Sequence, residues 1–116
     1  MRHWSEDLAA WYLQWRGLAL VERNYHCRWG EIDLIMSDAR TGETILVFIE
    51  VRYRIRLDHG RPEETISRSK QRRILSTAQH YLQKHQVPDM TMRFDVIAIT
   101  RPHYAPSITW IQEAFT

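Results

Sequence analysis

Period-two alternation of apolar and polar positions predicts a strand over 31–36 and a longer one over 45–54, and each carries a carboxylate into an apolar run. In the first, Glu31, Asp33 and Ile35 fall on one face and Ile32, Leu34 and Met36 on the other. In the second, Val47, Ile49, Val51 and Tyr53 oppose Phe48, Glu50, Arg52 and Arg54, so Glu50 and Arg52 point the same way. The segment 37–44, with Asp38, Gly42 and Glu43, reads as a hairpin connection. That makes the two strands antiparallel neighbours and brings the Asp33 and Glu50 faces together. Two carboxylates placed side by side repel and raise each other's pKa unless a divalent cation, or a base such as Arg52, holds them ionised.

Helical spacing frames these strands. Leu8, Trp11, Tyr12 and Trp15 recur at helical intervals between Ser5, an N-cap candidate, and Gly17, a C-terminal stop, with Trp11 and Trp15 expected in the core or at a dimer surface. Beside that stripe run Glu6, Ala9, Ala10 and Leu13, which either turns Glu6 inward or leaves it as a first-turn acid favoured by the helix dipole. Residues 18–22 suit a first strand, 23–29 continue it or loop away, and Gly30 permits a bend or a close backbone approach. A loop over 55–66 precedes a second helix, capped by Ser67 or Ser69, with Gln71, Ile74, Leu75, Ala78 and Leu82 as its buried stripe and Pro88 beyond its end. Further strands are expected over 93–100 and 108–111.

Length and composition set the bounds. The 116 residues suit one domain spanning 1–116, and 44% hydrophobic with 26% charged residues is ordinary for a soluble protein. No apolar run reaches the roughly 20 residues of a membrane span, and the polar N-terminus lacks a signal-peptide pattern, so no membrane association and a cytoplasmic location are expected. Cys27 is alone, which fits a reducing compartment and is read as a small apolar side chain. The net charge of +2 names no partner, but its distribution is uneven. Arg52, Arg54, Arg56, Arg61, Arg68, Lys70, Arg72 and Arg73 stand against only Asp58, Glu63 and Glu64, a basic stretch that is either a phosphate-binding surface or a solvated face.

The order α-β-β-β-α-β with a short extra C-terminal strand describes an α/β domain, a mixed sheet flanked by helices. With an acid on the first helix, Asp33 on the second strand and Glu50-Val51-Arg52 late on the third, it resembles the PD-(D/E)XK restriction-endonuclease-like superfamily. Four blocks, Gly30-Glu31-Ile32-Asp33-Leu34-Ile35, Phe48-Ile49-Glu50-Val51-Arg52, Lys70-Gln71-Arg72-Arg73 and Arg93-Phe94-Asp95-Val96, resemble the YraN-like family of small, mostly uncharacterised bacterial proteins, related by fold to archaeal Holliday junction resolvases.

The resemblance implies a metal-dependent endonuclease-like phosphodiesterase of DNA metabolism, acting on branched DNA and on DNA rather than RNA. A non-catalytic nucleic-acid-binding or assembly module is the alternative. Asp33 and Glu50 match the superfamily's metal-binding acids, the Val51 carbonyl falls where a further ligand is expected, and Glu6 matches the helix-one acid. Oxygen ligands suit Mg or Mn and not zinc. Gln71 resembles a helix-two polar residue that reaches the site in some relatives. Arg52 stands where the superfamily has Lys; a guanidinium stays charged and cannot serve as a base, but it can bind a phosphate oxygen. Arg54, Arg56, Arg61, Lys70 and Arg72 are the candidate phosphate contacts, Trp29 a candidate for base stacking, and junction-cutting relatives suggest a homodimer.

Overall fold

The computed structural model describes residues 3–54, 66–87, 91–101 and 106–115. Its elements are α1 (Trp4–Trp15), β1 (Ala19–Cys27), β2 (Gly30–Asp38), β3 (Ile45–Arg54), α2 (Arg68–Lys84), β4 (Met92–Thr100) and β5 (Ser107–Ile111). The strands form one sheet in the order β1-β2-β3-β4-β5, antiparallel except between β3 and β4, which run parallel across the α2 crossover. This is the mixed α/β sheet that the sequence pattern predicts. No helix among the described residues is long and apolar enough to cross a membrane.

Each helix covers one face. Ala9, Ala10 and Leu13 of α1 pack with Leu34, Met36, Val47, Ile49 and Ile97, whereas Ile74, Ala78 and Tyr81 of α2 pack with Ile35, Phe48 and Phe94. Burial of β4 on both faces explains its unbroken run of buried residues from Arg93 to Ile99.

Three expectations are corrected. His3, not Ser5, caps α1: its Nδ1 accepts from the Ser5 N–H, and Ser5 itself is buried in the first turn. The buried face of α1 is the small-residue stripe, not the tryptophan stripe; Trp11 and Trp15 are 59% and 70% exposed and stack on each other at the surface. Ala9 and Ala10 let the helix lie close to the sheet, which indole rings at the contact would prevent. On α2, Thr77 and Tyr81 join the buried stripe, while Leu75 and Leu82 are only partly covered.

Both helices end alike. Gly17, at φ +107°, follows α1, with its N–H bonded to the Gln14 carbonyl and the Leu18 N–H to the Leu13 carbonyl. After α2, Gln86 and Val87 repeat the arrangement, but Gln86 holds φ +49° with a side chain attached. A left-handed non-glycine residue costs about 1–2 kcal/mol, partly recovered in the unfolded chain, so Gln86→Gly is expected to stabilise by about 0.5–1 kcal/mol in urea unfolding. No gain, or a loss, would show that Gln86 makes compensating contacts.

Candidate functional site

The site begins with an interruption in the sheet. The β2–β3 ladder is paired from Asp38↔Ile45 to Leu34↔Ile49 and stops there. One step further, Asp33 Oδ2 accepts the Val51 N–H at 2.8 Å, so a side chain takes over where a backbone carbonyl would otherwise pair. Simple alternation also fails at this point. Ile32 packs in the α2 cluster and Leu34 in the α1 cluster, although they are two residues apart. Across on β1, Asn24 adopts φ +51°, an uncommon conformation that asparagine tolerates. Asp33 therefore sits at a local distortion rather than on a regular face.

Here β2 and β3 bound a cavity of about 320 Å³ lined by Glu6, Gly30, Glu31, Asp33, Glu50, Lys70, Arg73 and Ile74. Both helical layers contribute, Glu6 from α1 and Lys70, Arg73 and Ile74 from α2. Gly30 makes the approach of α2 feasible: at φ +151°, a Cβ there would lie 3.2 Å from Thr77 Oγ1.

Electrostatically the cavity has an acidic and a basic wall. Burial pushes the Glu50 carboxyl up to about 7, the neighbouring Asp33 adds to the rise, and Lys70 opposes it. Burial likewise raises Asp33, against the Val51 N–H and a hydrogen bond shared with Glu50. Each of the two acids therefore bears on the other's charge. Glu6 is raised by burial and by repulsion from Asp33 and Glu31. Its Oε1 is buried without a hydrogen-bond partner among the described residues. Lys70 Nζ lies 3.2 Å from Glu50 Oε1.

The donor chemistry fits a hard divalent cation. The carboxylates supply oxygen only, and the orphaned Glu6 oxygen is an acceptor in want of a positive partner. Among the described residues no three His, Cys, Asp or Glu side chains are grouped to hold an ion by themselves. A cation here would rest on Asp33 and Glu50, with backbone and water oxygens completing its shell, which is how magnesium is usually bound.

The predicted residues are only partly assembled. Asp33, Glu50 and Glu6 meet in one cavity, Val51 joins through its N–H, and Lys70, a candidate phosphate contact, lines the same cavity and ion-pairs with Glu50. Gln71 does not reach the site: its Nε2 donates to the Ile66 carbonyl at 3.0 Å, and it lines a separate cavity with Arg68, Arg72, Leu75, Ala114 and Phe115. Arg72 belongs to that second cavity too. Arg52 and Arg54 continue the Glu50 face of β3 and are not among the described residues lining the carboxylate cavity. Arg56 and Arg61 lie outside the described residues.

Two features escaped the sequence reading. Arg73 lines the cavity; its signal is the i, i+3, i+7 spacing of Lys70, Arg73 and Thr77 down one side of α2. The Arg93-Phe94-Asp95-Val96 block turns out to carry a buried ion network. Asp95, fully buried, accepts from Arg93, from Trp110 Nε1 at 2.9 Å and from the Glu113 N–H at 3.0 Å. Arg93 also pairs with Asp38, which Arg40 grips with two side-chain bonds, holding the Asp38 carboxyl far below its ordinary range.

Known sequences similar to this chain cover nearly all of it. A protein of Nitrosococcus oceani is 49% identical over 112 residues, covering 96% of this chain and 87% of its own. One of Psychromonas ingrahamii is 50% identical over 111 residues, covering 96% and 85%, and one of Methylococcus capsulatus 46% over 110 residues, covering 95% and 85%. All three are described as UPF0102 proteins. The UPF0102 family itself matches residues 5–99, a span that includes Glu6, Asp33, Glu50, Lys70 and Arg73, and the chain belongs to this uncharacterised protein family.

Proposed function

We propose that the protein is a metal-dependent nucleic-acid phosphodiesterase on a restriction-endonuclease-like fold, acting on DNA and, as its resemblance to junction resolvases suggests, on branched DNA. The supporting observation is the Asp33–Glu50 pair, held beside an interrupted ladder and faced by a basic wall. Asp33 and Glu50 would hold Mg or Mn, with Glu6 and the Val51 backbone nearby. Such an ion, when bound, supplies an acidified water and positive charge at the scissile phosphate. Lys70 and Arg73 face the acids across the cavity and would bind the phosphate oxygens, orienting the ester over them. Arg52 cannot take a proton from water, so its contribution is restricted to charge.

The test pairs calorimetry of Mg and Mn binding with cleavage of linear, flapped and four-way DNA in each metal. Expected are metal binding and metal-dependent cleavage, both lost in Asp33→Asn, while DNA binding survives and weakens steeply with salt. A wild-type protein that neither binds metal nor cuts any substrate would defeat the catalytic reading. The placement of Arg52 off the cavity then favours a non-catalytic DNA-binding module.

A further inference from the structure

We infer that the surface beside Trp29 is a pocket for an unpaired nucleobase, placing a single-stranded nucleotide next to the carboxylate cavity; this rests on the phosphodiesterase reading. Trp29 occupies the two-residue turn between β1 and β2, the position just before Gly30, which lines the carboxylate cavity. The residue is 47% exposed, and the Arg28 guanidinium lies over its ring, 4.6 Å from the centroid. The indole is not core: one face carries the Arg28 guanidinium and the rest of the ring is left to a planar partner.

The indole borders a cavity of about 170 Å³ whose other walls are Ser76, Gln79, His80 and Gln83 of α2. That is below the roughly 300 Å³ of drug-sized pockets and suits one ring system. The lining is an aromatic face with two primary amides, a hydroxyl and an imidazole, and the Arg28 guanidinium lies against the same indole. A neutral, planar group with donors and acceptors on its edge matches that chemistry: the ring stacks on indole and the amides reach the edge. His80 is fixed in the wall by a 2.6 Å hydrogen bond between its Nδ1 and the Tyr25 hydroxyl.

Position selects the occupant. Lys70 and Arg73 of the carboxylate cavity and Ser76, Gln79, His80 and Gln83 of this one follow each other along α2. Their midpoints are about eight residues apart, or about 12 Å at 1.5 Å per residue. A strand with one phosphate at the acids would bring a base to Trp29 within a few nucleotides. In a duplex the bases are stacked and unavailable, so the pocket selects substrates with single-stranded character.

The test compares dissociation constants, in calcium chloride to leave strands uncut, for a blunt duplex, the same duplex with a four-nucleotide overhang, and one whose overhang is abasic. Wild type is expected to bind the base-bearing overhang roughly 5- to 150-fold more tightly than the abasic one, the range of one stacked base. Trp29→Ala should reduce that ratio to within about twofold, and Trp29→Phe should keep most of it, which separates loss of stacking from misfolding. Blunt duplex bound by wild type with no preference between overhangs, or a preference that survives in Trp29→Ala, overturns this inference alone. Failure of wild type to bind any of the three overturns the phosphodiesterase reading with it.

Discussion

Glu50→Gln is expected to raise the melting temperature of the metal-free protein at pH 8 by roughly 5–10 °C while abolishing metal-dependent cleavage. The Glu50 carboxyl rises from 4.5 to about 7 on folding, mainly because burial penalises its charge. Below about pH 4.5 it is protonated in both folded and unfolded chains, and its burial carries no ionic penalty. As pH rises the unfolded chain ionises first, so stability is lost progressively up to about pH 7 and stays lost above it. A neutral glutamine removes that loss, worth on the order of 2 kcal/mol once the sacrificed Lys70 pairing is allowed for. Thermal scans at pH 4.5 and pH 8 separate the effects, since the gain should appear only at the higher pH. A Gln variant less stable than wild type at pH 8 would mean that the Lys70 ion pair outweighs burial.

Asp95→Ala should lower stability by about 3–5 kcal/mol, a fall of roughly 10–25 °C in melting temperature. Asp95 is 0% exposed, and Arg93, beside it, is 9% exposed. Removing the carboxylate leaves a buried guanidinium sharing Asp38 with Arg40 and strands the Trp110 and Glu113 donors. Trp110 lies on β5, so the outermost strand loses a side-chain anchor as well as a charge partner. Urea unfolding measures the loss, and a change below about 1 kcal/mol would show that the network repacks around the gap.

What the sequence disclosed depended on which physical rule governed each position. That Asp33 and Glu50 lie on neighbouring antiparallel strands was legible because a short connection joins two strongly apolar runs. The distortion at Asp33 was not, since a side chain replacing a ladder hydrogen bond leaves no mark in apolar patterning. On α1 two adjacent stripes competed, and only packing against the sheet shows that small residues won over large ones. On α2 the rotation about the helix axis decided that Lys70 and Arg73, not Gln71 and Arg72, line the cavity with the acids; the four polar residues alone do not fix that angle, and only their spacing to Thr77 marks the side. Asp95 hid in an alternating strand because its partners, Trp110 and Glu113, are distant in sequence.

The carboxylate of Asp33, bonded to Val51, acts as a wedge in the sheet. Because the gap is built from strands and held by that bond, it is already open before anything enters, and no backbone has to be pried apart to admit a ligand. The same residue is therefore a structural prop as well as a candidate ligand. Shortening it to alanine would deprive the Val51 N–H of its acceptor and free the two strands to zip together, whereas asparagine keeps an oxygen in place. Architecture and chemistry are fused in one side chain, so of the two substitutions only the isosteric one can tell them apart.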